Sequence, residues 1–283
     1  MTMGRLLMAA AALALVLGCG GPVKESKKGK KAMKEMKNEA RKSVEDARQF
    51  WEGVNKEDIM QVEEGFTKYR NAEGDASYLL KGEELDKFME EAHAANELFR
   101  KLCSDVYVKT MSEASIKFLK GDAAGALAAF NRVPERLLQY RTIDVWSNLA
   151  KYKFVVKEQG LWNDAVKKMY QEATELGRSG DYDGIYRKSL DWTKAMSKEW
   201  KHHYLPLHEK YKADDPEKAE HVKMLPLHTL MFVLIGAVEA ELKDMEPERA
   251  EEHLSSVLQI GAMQQIVGYI NRRKEHLKKA SDN

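Results

Sequence analysis

The chain has 283 residues, of which 43% are hydrophobic and 32% are charged, and its 46 basic side chains nearly balance 45 acidic ones. The only cysteines, Cys19 and Cys103, exclude a disulfide framework, so a chain of this length must rely on a hydrophobic core.

The first 21 residues predict an export signal. Arg5 is the only early charge, and it precedes an uninterrupted apolar run over residues 6–17. This run has the length of a signal-peptide apolar region and is too short to cross a bilayer, which takes roughly 20 apolar residues. We therefore expect a cleaved signal rather than an anchor helix.

The residues VLGC at 16–19 resemble the lipobox of bacterial lipoproteins, in which the cysteine sulfur is diacylated and the chain is cut just before it. The resemblance implies a signal peptide over residues 1–18, a lipid on Cys19 and a place in the bacterial cell envelope. A periplasm-facing or outer-membrane location follows, rather than a cytoplasmic one. The alternative is an ordinary cleaved signal with a cysteine near its end.

Residues 19–31 predict a flexible, lysine-rich tether. Lysines crowd the segment just after Cys19, against only Glu25 and Glu35: Lys24, Lys27, Lys28, Lys30, Lys31, Lys34 and Lys37. A basic run beside an acyl anchor adds electrostatic attraction to an anionic membrane surface. A solvated tether whose lysines only keep it extended is a compatible alternative. Nucleic-acid binding is disfavoured, because the cluster contains no aromatic residue and the predicted location is wrong.

Residues 32–283 predict one all-helical domain, because apolar residues recur at three- and four-residue steps. The first helical stripe runs from Met33 through Met36 to Val54, and Asn55 is expected to cap a second helix. Glycines and Asp75 interrupt the pattern over 71–82, which predicts a connection and a sub-boundary there. A long stripe then covers 83–120, with Cys103 at a buried position.

The second half of the chain continues the same period. It predicts a short helix from Ala126 to Pro134, another over 137–160, one capped by Asn163, and further helices that begin at Asp181, Asp215 and Pro247. The most apolar stretch, 227–238, is expected to be the central buried helix. No stretch alternates as a strand does, so the fold class is all-α: a helical bundle or an irregular α-solenoid of packed hairpins.

Two turns resemble part of a known repeat. KGDAAGALAAF at 120–130 resembles the turn and second helix of a tetratricopeptide repeat, and GRSGDYDGIYRKSL at 177–190 resembles it less closely. A third turn lies at 245–247. The turns are about 60 residues apart rather than the 34 of a tandem array, which favours packed hairpins with one degenerate repeat over a regular array.

The sequence Leu-Pro-Leu-His occurs twice, beginning at Leu205 and at Leu225. Matching prolines are expected to break two helices similarly, so that His208 and His228 face each other across a hairpin. With His203 and neighbouring methionines, this predicts as an alternative a soft-metal or non-covalent haem site. The sequence lacks CxxCH, which excludes covalent haem.

Other candidate sites are weaker. Glu90 with His93 and Glu199 with His202 match the Glu-x-x-His step of di-iron bundles, but Glu90 and His93 fall off the apolar stripe and are expected to face solvent.

No phosphate-cradling loop, nucleophile elbow or recognisable catalytic triad is present in the sequence, so an enzyme is not predicted. Trp162, Tyr182 and Tyr186 lie at or beside turns and are the candidates for lining a groove. The sequence therefore predicts a lipid-anchored, all-helical envelope protein that binds a protein partner or a small ligand, without a cofactor or chemistry of its own.

Overall fold

The computed structural model describes residues 27–140, 143–158, 164–259 and 266–281. Within these ranges the chain forms thirteen α-helices and one π-helical turn, and it contains no strand. The predicted all-α class is confirmed. The described residues divide into two compact units between Phe99 and Arg100, inside the third helix, which differs from the sub-boundary expected near 71–82.

The first unit contains α1 (Lys27–Glu52), α2 (Ile59–Leu79) and the first part of α3 (Glu83–Leu119). Phe66 stacks on Phe99 at 5.2 Å between ring centroids, and Tyr69 lies 5.2 Å from Phe88, so α2 and α3 run antiparallel. Val44 and Ala47 of α1 complete the buried cluster.

Three sequence expectations in this unit are wrong. Asp58, rather than Asn55, caps α2, because its Oδ1 accepts from the amides of Met60 and Gln61 at 2.9 and 3.3 Å. The helix then continues through Gly74 to Leu79, so the connection expected over 71–82 shortens to residues 80–82. Burial of the flanking Ala72 and Ala76 outweighs the roughly 1 kcal/mol that a helical glycine costs.

The third correction concerns the start of α1. The predicted flexible tether over 19–31 is helical from Lys27 onward, and residues 1–26 lie outside the described part of the chain. Met33 and Met36, expected on the inward stripe, are 46% and 50% exposed. The stripe is buried only from Ala40 onward.

The second unit begins with the remainder of α3 and continues through ten further helices and the π-helical turn. In chain order these are α4 (Ala123–Asn131), α5 (Glu135–Leu138), α6 (Asp144–Glu158), α7 (Asp164–Arg178), α8 (Tyr182–Glu199), the π turn (Trp200–Tyr204), α9 (Leu205–Asp214), α10 (Pro216–Lys223), α11 (Leu225–Leu242), α12 (Pro247–Gln259) and α13 (Val267–Ser281). The helix expected over 137–160 is therefore two helices, α5 and α6. The expected cap at Asn163 lies outside the described residues.

The central helix of this unit is α11, as the sequence predicts. It has 18 residues and, among the described helices, it alone is long and apolar enough to cross a membrane by length and composition. However, 72% of it is buried inside the protein, and Phe232 packs on Phe118, Phe130 and Tyr152. These contacts identify α11 as a core helix.

The two turns that resemble each other in sequence also share a backbone geometry. Gly121 and Gly180 adopt φ values of +81° and +67°, a left-handed conformation that suits glycine. The following Asp122 and Asp181 each accept, through Oδ1, the amide three residues on, at 2.8 and 2.7 Å. The expected helix start at Asp181 is confirmed.

Candidate functional site

The groove candidates fall largely outside what the structure describes. Cys19 and Trp162 lie in undescribed ranges. Tyr182 and Tyr186 belong to the first two turns of α8, but their side chains are outside the described part.

The two Leu-Pro-Leu-His segments differ in their backbone. Pro206 is the second residue after the π turn, and Pro226 is the second residue after a helix end at Met224. In an α-helix, a proline ring clashes with the backbone carbonyl of the residue four positions earlier. For Pro206 that residue is His202, which lies within the wider π turn. The helical path therefore continues past Pro206 but stops before Pro226, so the expected similar breaks are not found.

His208 is buried on α9. Its ring lies 6.4 Å from that of Trp200, and its Nδ1 is 3.3 Å from Oε1 of Glu209. Trp200 in turn stacks on Tyr204 at 5.7 Å. The ring of Trp200, at the start of the π turn, therefore lies beside this imidazole.

His228 lies in the first turn of α11, where its ring is 6.4 Å from that of Tyr152 on α6. Burial lowers the pKa of His228 to about 4, because desolvation disfavours the imidazolium, and the neighbouring charges of Lys151 and His221 act in the same direction. The side chain is therefore neutral at pH 7.

The three histidines of the predicted metal site have different surroundings. His203 is exposed on the π turn, His208 contacts Trp200 and Glu209, and His228 contacts Tyr152. In the described part of the chain no group of three or more His, Cys, Asp or Glu residues is arranged to hold a metal ion. Glu90 and His93 are exposed on α3, as expected.

The inner side of the hairpin formed by α9 and α10 is filled by α6. Phe154 lies 6.1 Å from the ring of Tyr211 and 6.2 Å from that of His221. The hydroxyl of Tyr211 donates to Oε1 of Glu158 at 3.1 Å. This packing fixes which side of the hairpin remains open to solvent.

Large apolar side chains are exposed where α9 begins, where α10 ends and where α11 begins. Leu205, Met224 and Leu227 are 42%, 43% and 38% exposed, and they are the large apolar side chains that the second unit exposes among those described. The ring of Tyr211 lies 5.7 Å from Nζ of Lys218, so α9 and α10 pack side by side, and the beginning of α9 and the end of α10 lie at the same end of the hairpin. We name these three residues the apolar tip.

Sequence reasoning selected the histidines of the repeated motif and missed its exposed leucines, Leu205 and Leu227. The motif gave no signal for them, because Leu225 occupies the same motif position as Leu205 and is buried. The exposed Lys198, Lys201 and Lys223 lie close to the apolar tip in the sequence.

A buried polar cluster was also missed. Glu239 of α11 is 2% exposed and accepts from Oγ of Ser112, the hydroxyl of Tyr269 and Nε of Arg273 at 2.7, 2.8 and 2.9 Å. The cluster ties α3, α11 and α13 together. Because Glu239 already accepts three donors in the core, we assign it a structural role. A lone glutamate just after an apolar run was the signal.

No protein-family model, curated protein or solved structure matches this chain.

Proposed function

We propose that this protein is a lipid-anchored helical protein of the bacterial cell envelope that binds a partner protein through the apolar tip and performs no chemistry of its own. The observation that carries the binding role is the exposure of Leu205, Met224 and Leu227, which belong to the beginning of α9, the end of α10 and the beginning of α11. Exposed apolar side chains scattered singly need no explanation, but a cluster bordered by polar residues is typical of a binding surface.

The chemistry of the apolar tip suggests the kind of partner. Three exposed lysines lie near it in the sequence, and Nζ of Lys223 pairs with Oε1 of Glu220 at 2.6 Å. A complementary segment carries apolar side chains flanked by carboxylates, because opposite charges at the rim steer association while apolar burial supplies affinity.

Site-specific photo-crosslinking in intact cells tests the binding role. A photoreactive amino acid at Leu227 is expected to capture one protein, and capture is expected to fall when Leu205→Ser and Met224→Ser are added. Met89, which is 42% exposed in the other unit, is the matched control position. Equal capture from both positions, or capture indifferent to the two serine substitutions, would contradict the proposal.

The anchor has a separate test. The lipobox resemblance at 16–19 supports a diacylated Cys19 at the mature amino terminus. Cys19→Ser is expected to abolish labelling by a fatty-acid analogue and to release the protein from membranes. An unmodified amino-terminal peptide, or a start site beyond Cys19, would refute the anchor. The proposed binding role of the apolar tip would not be affected.

A metal or haem site is the second candidate, and one observation favours it. The lowered pKa keeps the imidazole of His228 neutral, which is the form that binds metals. Elemental analysis of the purified protein discriminates between the two functions. Stoichiometric metal that is lost in both His208→Ala and His228→Ala, and retained in His93→Ala, would favour this candidate.

A further inference from the structure

The beginning of α1 extends beyond the helices that pack against it. Nε of Arg48 lies 2.8 Å from Oε2 of Glu91, which also accepts from the hydroxyl of Tyr69 at 3.2 Å, so the three helices are level here. From that level α1 runs back about 31 Å to Lys27, whereas α2 runs only about 15 Å to Leu79 and α3 about 12 Å to Glu83, at 1.5 Å per residue. The first turns of α1 therefore have no helix of this unit beside them.

We name residues 27–39 the projecting segment, and its exposure agrees with this geometry. All nine residues from Lys31 to Glu39 are exposed, whereas Ala40 is 5% exposed. Met33 and Met36 continue, at steps of three and four residues, the stripe that is buried at Ala40 and beyond. The segment thus presents an apolar line without a partner inside its own unit.

The rest of the projecting segment is strongly basic. It carries six lysines against Glu35 and Glu39: Lys27, Lys28, Lys30, Lys31, Lys34 and Lys37. The one ion pair described there, Lys31 with Glu35 at 3.9 Å, is highly exposed and weak. A basic helix with a narrow apolar line is typical of segments that lie at the surface of anionic membranes.

We propose that the projecting segment binds an anionic lipid surface directly, with Met33 and Met36 entering the headgroup layer and the lysines contacting lipid phosphates. The inference rests on the proposed envelope location, but it does not require the acyl chain. Residues 20–26 separate Cys19 from Lys27, and a chain of that length spans at most about 28 Å. A lipid on Cys19 therefore keeps the projecting segment within reach of the membrane.

The exposed Tyr78 lies at the level of the projecting segment. It lies in the last turn of α2, within about one helical turn of Met36 along the bundle axis. An amphipathic aromatic side chain near a basic helix favours the membrane interface. An anionic lipid surface complements the positive charge of the projecting segment. A second copy of this chain does not, because two copies would bring like-charged segments together.

Sedimentation with vesicles tests the proposal. The chain from residue 19 onward carries Cys19→Ser, so that no acyl chain contributes. Vesicles that contain phosphatidylglycerol are compared with vesicles of phosphatidylcholine alone. We expect binding to the anionic vesicles only, with loss of binding as salt is raised from about 0.1 to about 0.5 M.

Two sets of variants locate the binding surface. Changing Lys31, Lys34 and Lys37 to Gln is expected to lower the partition coefficient about a hundredfold, because each lysine contributes a factor of about five. The same change at the exposed Lys101, Lys109 and Lys157 alters net charge equally and is expected to have little effect. Met33→Ser with Met36→Ser is expected to weaken binding about tenfold.

The outcomes separate this proposal from the anchor. Equal binding to neutral vesicles, or an unaffected partition in the Lys31, Lys34 and Lys37 variant, would overturn it even if Cys19 proves to be acylated. A dimer in solution that these substitutions dissociate would assign the segment to self-association instead. Anionic vesicle binding would persist if Cys19 proved unmodified, and only the anchor would then fail.

Discussion

Replacing Glu239 tests whether the buried cluster on α11 holds the second unit together. The carboxylate is 2% exposed, and it accepts from Tyr269 and from Arg273, whose side chain is 16% exposed. In Glu239→Ala the guanidinium and the tyrosine hydroxyl stay in the core without their acceptor. Removing one partner of a buried ion pair typically costs 3–5 kcal/mol, and we expect a loss of about 4 kcal/mol in unfolding free energy.

Graded substitutions separate charge from hydrogen bonding. Glu239→Gln keeps an acceptor oxygen and is expected to cost about 2 kcal/mol, because charged hydrogen bonds contribute more than neutral ones. Tyr269→Phe removes a single bond and is expected to cost about 1 kcal/mol. Glu220→Ala breaks an exposed pair with Lys223 and, as the matched control, is expected to cost less than about 1 kcal/mol.

Urea denaturation followed by tryptophan fluorescence measures these losses. Trp51 belongs to the first unit, so a Trp51→Phe background confines the signal to the second unit. Fluorescence then reports the unit that contains Glu239. If Glu239→Ala were no more destabilising than Glu220→Ala, the cluster would not be the structural element that its contacts indicate.

Three further predictions concern close packing and pH. Gly236→Ala is expected to lower the unfolding free energy by about 2 kcal/mol, because its Cβ would lie 2.9 Å from the backbone oxygen of Ser115. Gly74→Ala, with nothing within 4 Å of the added Cβ, is expected to raise the unfolding free energy of the first unit by about 0.5–1 kcal/mol, measured by urea denaturation followed by circular dichroism. Burial lowers the pKa of His228 to about 4 from 6.5. The stability that the neutral side chain contributes is therefore fully present above pH 6.5 and is lost as pH falls to 4. The expected loss in unfolding free energy is about 2 kcal/mol once the partial exposure of His228 is allowed for. Urea titrations at pH 7 and 4.5 should show a smaller difference in His228→Gln, and an unchanged difference would count against this account. Burial also raises the pKa of three tyrosines above 10: Tyr107, Tyr152 and Tyr269. Above pH 10 the folded state keeps protons that the unfolded chain loses. The unfolding free energy should therefore fall by about 1.4 kcal/mol per pH unit for each of these tyrosines. Tyrosinate absorbance should therefore appear for these residues only on unfolding, and its appearance in the folded protein would refute the assignment.

Local signals predicted the helical fold well, and they failed where packing outweighs them. Asp215 with Pro216 marks a true helix start, because capping depends only on residues three positions apart. Gly74 did not end α2, because buried alanines on either side hold the helix to its neighbours. The candidate site was predicted less well, since the sequence indicated the histidines of a repeated motif and gave no orientation for its leucines.

The sequence by itself determined the fold class, most helix starts and the core position of α11, because hydrogen bonding and apolar period are encoded within a few neighbouring residues. Only the tertiary structure decided which parts of each apolar stripe are covered. Met33 and Ala40 share one stripe, yet one is exposed and the other buried, because the helices packed against α1 end between them. Glu239 likewise acquires its role from Ser112, 127 positions away, a pairing that no local pattern predicts.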